Sequence, residues 1–268
     1  MTTPVPDVRA VLCDPRFIVP PATADGAAPM GTMRWLRRTV PRFSNGAVHV
    51  RRRALTEGEL RLLDPARLRA GARSLTRQVT RDAAPYVPVA VLGAALGARG
   101  GSDEVDEVDA FAEVVAATRV VAAAYRPGAA PGAMAQADEG VRTLVVLLPD
   151  GEPEAVANRI GLLVQTCDAT AALITNALAA RPSQSGQGAD ELVAETLRLD
   201  PPVRGTQRVA AAGATLHGRP VAEGTEVPLD LAAADAPFGH GMRPCPGSLH
   251  AVALACGVLD VLLEETSS

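Results

Sequence analysis

Apolar residues recur at three- and four-residue intervals over most of this chain, the period of helices with one buried face. TPVPDVRAVLCDP reads as a short helix stopped by Pro15, and DPRFIVPPATADGAAPMG as a Pro/Gly/Ala loop. SNGAVHVRRRALTEGELRLL opens on the capping residues Ser44 and Asn45 and carries a basic face. DPARLRAGARSLTRQVTRDAA is a second amphipathic helix, and Pro85 and Pro88 open a short apolar one, YVPVAVLGAALGA. GARGGSD reads as a flexible loop. EVDEVDAFAEVVAATRVVAAAY is a helix whose acidic first turn suits the helix dipole. RPGAAPGA breaks it, and MAQADEGVRTLVVLL follows. The longest helical window is PDGEPEAVANRIGLLVQTCDATAALITNALAARP, and GADELVAETLRLDPPV is another helix ended by the double proline. The pattern then alternates. GTQRVAAAGATLHGRPVAEGTEVPLDLAA, rich in Gly, Val and Thr, predicts two or three short strands with tight turns. A last helix runs from about Ser248 to Glu264. The expected fold class is mainly α with a small β-sheet, as a single domain over residues 1–268 without internal repeats.

Composition narrows what such a fold does. The residues are 47% hydrophobic and 21% charged, as in globular proteins, and the net charge of −4 gives no reason to expect nucleic acid. Gln165, Thr166, Asp168 and Thr170 interrupt the most apolar helix, so it reads as a buried helix rather than a membrane span. The N-terminus lacks the basic-then-apolar run of a signal peptide. Four scattered cysteines suit a reducing cytoplasm and argue against a disulfide framework or a zinc site. Aromatics are only 3%, so a flat apolar ligand would add bulk to a core of Ala, Val and Leu.

The candidate chemistry lies in FGHGMRPCPG. Gly239, Gly241 and Gly247 surround Cys245, and glycine permits positive φ and close backbone approach. A loop of this kind aims N–H groups inward, and the helix that starts beside Gly247 points its positive end at the sulfur. Both are expected to lower the thiol from its ordinary pKa of ~8.5. Pro246 stiffens the turn. One cysteine does not hold a bare metal ion, but it does hold haem iron, whose porphyrin supplies four further ligands.

The spacing Phe238, Gly241, Arg243, Cys245, Gly247 resembles the haem-binding signature of the cytochrome P-450 superfamily, F-x-x-G-x-R-x-C-x-G. The resemblance implies that Cys245 is the axial thiolate to the iron of haem b, iron protoporphyrin IX. It implies that Arg243 pairs with a haem propionate and that Phe238 packs near the sulfur. Glu195-Thr196-Leu197-Arg198 matches the family's E-x-x-R motif, at the expected place before a Pro-terminated helix. His49 and Arg53 match its H-x-x-x-R helix, and Arg208 a further propionate arginine in its sheet. The likeness runs in order along nearly the whole chain, to soluble bacterial members without a membrane anchor. It implies a compact, truncated version of that fold in the cytoplasm, a small-molecule substrate and a ferredoxin redox partner.

Three departures bear on mechanism. The chain begins where the family's second helix usually lies. LDLAAADAPFGHG runs almost directly from the last strand into the cysteine loop, without the segment carrying the arginine that completes the E-x-x-R network. In the long helix the family's acid survives as Asp168, but the alcohol that helps deliver protons is replaced by Ala169. Thr170 is one position on, about 100° around the helix. Gln165 stands where a small residue is usual, and its amide is placed to bond a ligand or crowd the site. Asp168, Gln165 and Thr170 are therefore the candidate catalytic residues. Two readings follow. One is a haem-thiolate oxidoreductase, either a monooxygenase or peroxide-dependent, acting on a small organic molecule of specialised metabolism. The other is a catalytically degenerate haem-binding or helper protein of the same family.

Overall fold

The computed structural model describes residues 5–22, 26–99, 107–125, 131–180 and 187–265. The expected GARGGSD loop, the RPGAAPGA break and the Arg181-Pro182 stop lie wholly or mainly outside these residues. Ten α-helices and five short strands occupy the described chain. In order they are α1 (Val5–Cys13), β1 (Phe17–Ile18), α2 (Met33–Thr39), α3 (Gly46–Arg61), α4 (Pro65–Thr76), α5 (Val87–Ala95), α6 (Glu107–Tyr125), α7 (Pro131–Leu147), α8 (Pro153–Ala180), α9 (Ala189–Leu199), β2 (Gly205–Ala210), β3 (Thr215–Leu216), β4 (Arg219–Pro220), β5 (Glu226–Asp230) and α10 (Ser248–Glu265).

The sequence reading holds for the long helices and departs from the structure where elements are short. The segment read as a loop after Pro15 contains β1 and α2. A strand of two residues and a helix of seven are too short to show a period. β1 exists because β2 pairs with it, Phe17 opposite Ala210. α2 starts at an N-cap, Thr32, whose side chain accepts from the Trp35 N–H. The late sheet region holds four strands rather than two or three: β2 and β5 run antiparallel with Arg208 opposite Val227, and β3 and β4 form a separate hairpin.

Two cores result. The larger is helical, and α8 runs through it, packed against α2, α3, α5, α6, α7, α9 and α10. α8 is the one described helix long and apolar enough to cross a membrane, and 44% of its apolar window is buried inside the fold. The smaller core joins α1 to the sheet through Val8, Val11, Leu12, Phe17, Val227 and Leu229.

Arg69 on α4 clamps Asp190 of α9 and Asp260 of α10 at 2.8 and 2.9 Å, and Arg73 and Arg77 add contacts to Glu264 at 3.1 Å. The α4–α10 crossing is close because position 257 is glycine. A Cβ there would collide with the Arg69 carbonyl oxygen and lie 2.8 Å from the Ala72 methyl. Gly257→Ala is therefore expected to destabilise the protein by about 1–3 kcal/mol or more. Gly58→Ala, in α3 with only Arg61 at 3.9 Å, should stabilise it by about 0.5–1 kcal/mol through helix propensity. Denaturant midpoints of the two variants, which should move in opposite directions, check both.

Candidate functional site: a thiol beside a belt of cations

The cysteine loop sits at the junction of the two cores. A hydrogen bond from the Cys245 N–H to the Phe238 carbonyl, 2.7 Å, closes it. Gly239 and Gly241 take positive φ, +74° and +69°. At Gly241 a side chain is also excluded by space, since a Cβ would lie 2.6 Å from the Leu12 carbonyl oxygen and 2.8 Å from the Cys13 sulfur of α1. Gly247 differs. Its φ is not positive, and a Cβ there would meet only Leu60, at 3.7 Å. Packing within the chain alone does not require glycine at 247. His250, in the first turn of α10, donates its Nε2–H to the carbonyls of Leu60 and Leu63 at 3.0 and 3.1 Å, which anchors the loop's C-terminal side to the end of α3.

Cys245 is exposed at its surface, but the surrounding protein raises its thiol above the ordinary range. The Gly247 N–H and the Arg53 charge act in the opposite direction and are outweighed. This corrects the expected lowering: the amide and the cation are in place, but desolvation dominates. Cys167 and Cys256 are buried and pushed up to about 12, first by burial and then by Asp168 and Asp190 respectively.

Around the thiol the structure gathers the cations that the sequence nominated from three separate elements. Arg208 lies on the inward face of β2, 7% exposed. Among the described residues it donates only to the Thr206 hydroxyl at 3.2 Å and the Gln207 carbonyl at 2.9 Å. Arg243 donates to the Ser44 carbonyl at 2.7 Å and the Asn45 side-chain oxygen at 3.0 Å. Burial, then Arg208, then Arg53 bring it down to about 10. His49, one helical turn before Arg53 on α3, is pushed down to about 4 by burial, then by Arg243 and Arg53. The one carboxylate in the group is Glu57, 2.7 Å from Arg53. Arg208 and Arg243 make no ion pair among the described residues. Buried cations without counter-charge are strongly disfavoured, and guanidinium groups in this setting match carboxylate oxygens in geometry and charge.

The sequence reading missed two members. Asn45 holds the expected N-cap position of α3 but makes no side-chain cap. Its amide instead bonds Val19 in both directions, at 2.9 and 3.1 Å, while accepting from Arg243. Arg42 also joins the belt, since it repels Arg208. Neither has a spacing signal, because both act across chain segments that only the fold brings together.

The α8 candidates form a second, separate group. Gln165 and Asp168 are exposed in the middle of α8, next to the buried Val164 and Cys167, and Ala169 is partly exposed beside them. The Gln165 amide donates back to the Gly161 carbonyl at 3.0 Å. Thr170, nominated with them, does not belong to this strip. It is 2% exposed, and its hydroxyl is committed to the Thr166 carbonyl one turn back, at 2.6 Å. No hydrogen bond or ion pair joins the strip to the cysteine loop among the described residues. On α9, Glu195 meets Arg198 at 3.4 Å and also accepts from Gln187 at 3.2 Å.

This helical framework, with its small sheet and cysteine loop, is the cytochrome P450 fold. P450BioI, solved in complex with an acyl carrier protein ligated by hexadec-9Z-enoic acid, matches with a TM-score of 0.76 at 17% identity, over 98% of this chain and 84% of that one. CalO2 matches with a TM-score of 0.72 at 19% identity, over 97% and 81%. CYP164A2 of Mycobacterium smegmatis matches with a TM-score of 0.71 at 21% identity, over 99% and 83%. No protein-family model and no curated protein sequence matches the chain.

The low value at His49 has a consequence for stability. Folding favours the neutral ring, so its contribution is complete above the ordinary pKa of 6.5 and is lost as pH falls through about 4. Denaturant unfolding of the ligand-free chain across this window should show stability falling with pH. His49→Gln should flatten that slope.

Proposed function

We propose that this chain is a haem-thiolate oxidoreductase acting on a small organic substrate in the cytoplasm, with haem b ligated by Cys245. The observation that carries the reading is the group of His49, Arg53, Arg208 and Arg243 gathered beside an accessible cysteine, in which Arg208 and Arg243 make no ion pair among the described residues. Its donors fit two carboxylates, and the missing side chain at Gly247 leaves room beside the sulfur that packing within the chain does not demand. Bound there, haem would supply redox-active iron and a flat apolar ring. Arg208 and Arg243, with His49 and Arg53, would hold the propionates. The Gly247 N–H and Arg53 would favour the thiolate once the metal offsets its desolvation. The Phe238 carbonyl fixes the loop through the Cys245 N–H.

On α8, Asp168 is the group able to hold or pass a proton, and Gln165 presents an amide oxygen beside it. Ala169 contributes no hydroxyl, and that of Thr170 is spent on its own helix. This strip is therefore a poor proton relay. A ferredoxin-served reaction asks more of it than one in which a peroxide brings the oxidising equivalents. The same feature favours a second reading, a haem-carrying helper protein without turnover of its own. Product formation with either electron source separates the two.

The reduced, carbon-monoxide-bound protein should show the Soret band of a thiolate-ligated haem, and Cys245→Ala should abolish it. Changing Arg53 and Arg243 together to Ala should lower haem occupancy, each lost charge-assisted contact costing roughly 1.5–3 kcal/mol. A band at the histidine-ligated position, or protein that never takes up haem, would overturn the reading.

Product formed per reducing equivalent should be low in the wild type and higher in Ala169→Thr. Added peroxide should support oxidation comparably or better. Overpacking at 169 opposes this gain by ~1–3 kcal/mol, so the variant's unfolding is measured alongside. Tight coupling in the wild type contradicts the assignment of a weak relay.

A further inference from the structure

Arg52 on α3 is next to Arg53 in sequence but is engaged elsewhere. Its side chain is 14% exposed and touches three separate segments. Nε lies 3.0 Å from Glu154 in the first turn of α8, a carboxylate that Arg51 also contacts, at 2.6 Å. Nη1 donates to the Arg38 carbonyl near the end of α2 and to the Ser44 hydroxyl, both at 2.6 Å. That hydroxyl donates in turn to the Val40 carbonyl at 2.9 Å, so the buried Ser44 side chain both accepts and donates.

The backbone of Ser44 faces the cysteine loop. Its carbonyl and the Asn45 side-chain oxygen both accept from one nitrogen of Arg243, at 2.7 and 3.0 Å. Ser44 therefore stands between two guanidinium groups, Arg52 on its hydroxyl and Arg243 on its carbonyl. Their charge balance differs. Arg52 is paired with a carboxylate, so it adds little to the positive field and supplies a fixed point instead. Arg243 makes no ion pair among the described residues, and the charges of Arg208 and Arg53 act against its own. Like charges push such a group outward, and the oxygens of Ser44 and Asn45 hold it in. Asn45 has its own anchor on Val19. The anchor of Ser44 is Arg52.

We infer that Arg52 is a positioning residue for the cysteine loop: it fixes Ser44, and through Ser44 the tether that holds Arg243 two residues before Cys245. That Arg243, so held, meets a haem propionate rests on the proposed function. Arg51 provides the contrast. It pairs with the same Glu154 and touches neither Ser44 nor the cysteine loop among the described residues. An ion pair that merely fastened α3 to α8 would give Arg51 and Arg52 the same role.

The test is a double-variant cycle on Arg52→Met and Arg243→Met, with Arg51→Met alongside. One readout needs no cofactor. In the ligand-free chain the ring protons of His49 are followed by NMR through a pH titration, because the Arg243 charge helps to hold that ring at about 4. Arg243→Met should raise the midpoint towards the ordinary 6.5, Arg52→Met should move it the same way, and the double variant should go no further than Arg243→Met. The other readout is haem affinity, titrated into the same chains. Arg52→Met and Arg243→Met should each weaken it by about tenfold, the scale of one charge-assisted hydrogen bond, and the double variant by little more. Arg51→Met should leave both readouts at their wild-type values. Effects of Arg52→Met and Arg243→Met that simply add overturn the inference, because the two arginines then act separately. A His49 midpoint that Arg52→Met leaves in place overturns it too, and so does an Arg51→Met variant that matches Arg52→Met. Where Arg52→Met does not fold, Arg52→Lys decides. One ammonium lacks the fork that spans Glu154, Arg38 and Ser44 together, so His49 should shift part of the way, and no shift overturns the inference. A chain that takes up no haem sinks the preceding reading, while the His49 titrations still decide this one.

Discussion

Arg208 presents five N–H donors from the inward face of a central strand, where the described residues answer with one hydroxyl and one carbonyl. The charges of Arg42 and Arg243 act against its own, which makes its burial worse rather than better. A desolvated cation beside like charges is strongly disfavoured, so Arg208 and Arg243 are costly as they stand among the described residues. Burial likewise raises the thiol of Cys245 against the pull of the Gly247 N–H and Arg53. The proposed function is the reading in which one bound group relieves both costs.

The rest of the fold holds this arrangement in place. Asn45 gives up capping α3 to tie Val19 and Arg243 together, so the strand-side loop, the helix carrying His49 and Arg53, and the cysteine loop move as one. Gly241 lets that loop seat on the end of α1, and His250 fastens its other side to the end of α3. Further out, Arg69 and Gly257 lock α10 against α4 and α9, which fixes the helix that begins three residues after the cysteine. Burial, hydrogen bonding and charge all serve to hold one loop steady between two cores.

On α8, Gln165 and Asp168 break the surface, while Thr170 turns its hydroxyl onto its own backbone. One position along a helix turns a side chain by about 100°, so the Thr170 hydroxyl lies off the face that Gln165 and Asp168 share.

The sequence by itself determined the helices long enough to repeat their period, the alternating region, and the group of Cys245, Arg243, Arg208, Arg53 and His49 that the structure brings together. Those were legible because periodicity and motif spacing are local properties, written within one turn or one loop. It did not determine β1 and α2, which are too short to carry a period and exist through β2 and through the Thr32 cap. Nor did it determine the sign of the Cys245 shift, the rerouted side chain of Asn45, the committed hydroxyl of Thr170, or the bridge from Arg52 through Ser44 to Arg243. Those outcomes depend on desolvation and on which residues far apart in sequence become neighbours. Both are set only when α1, β2, α3 and the cysteine loop close on one another.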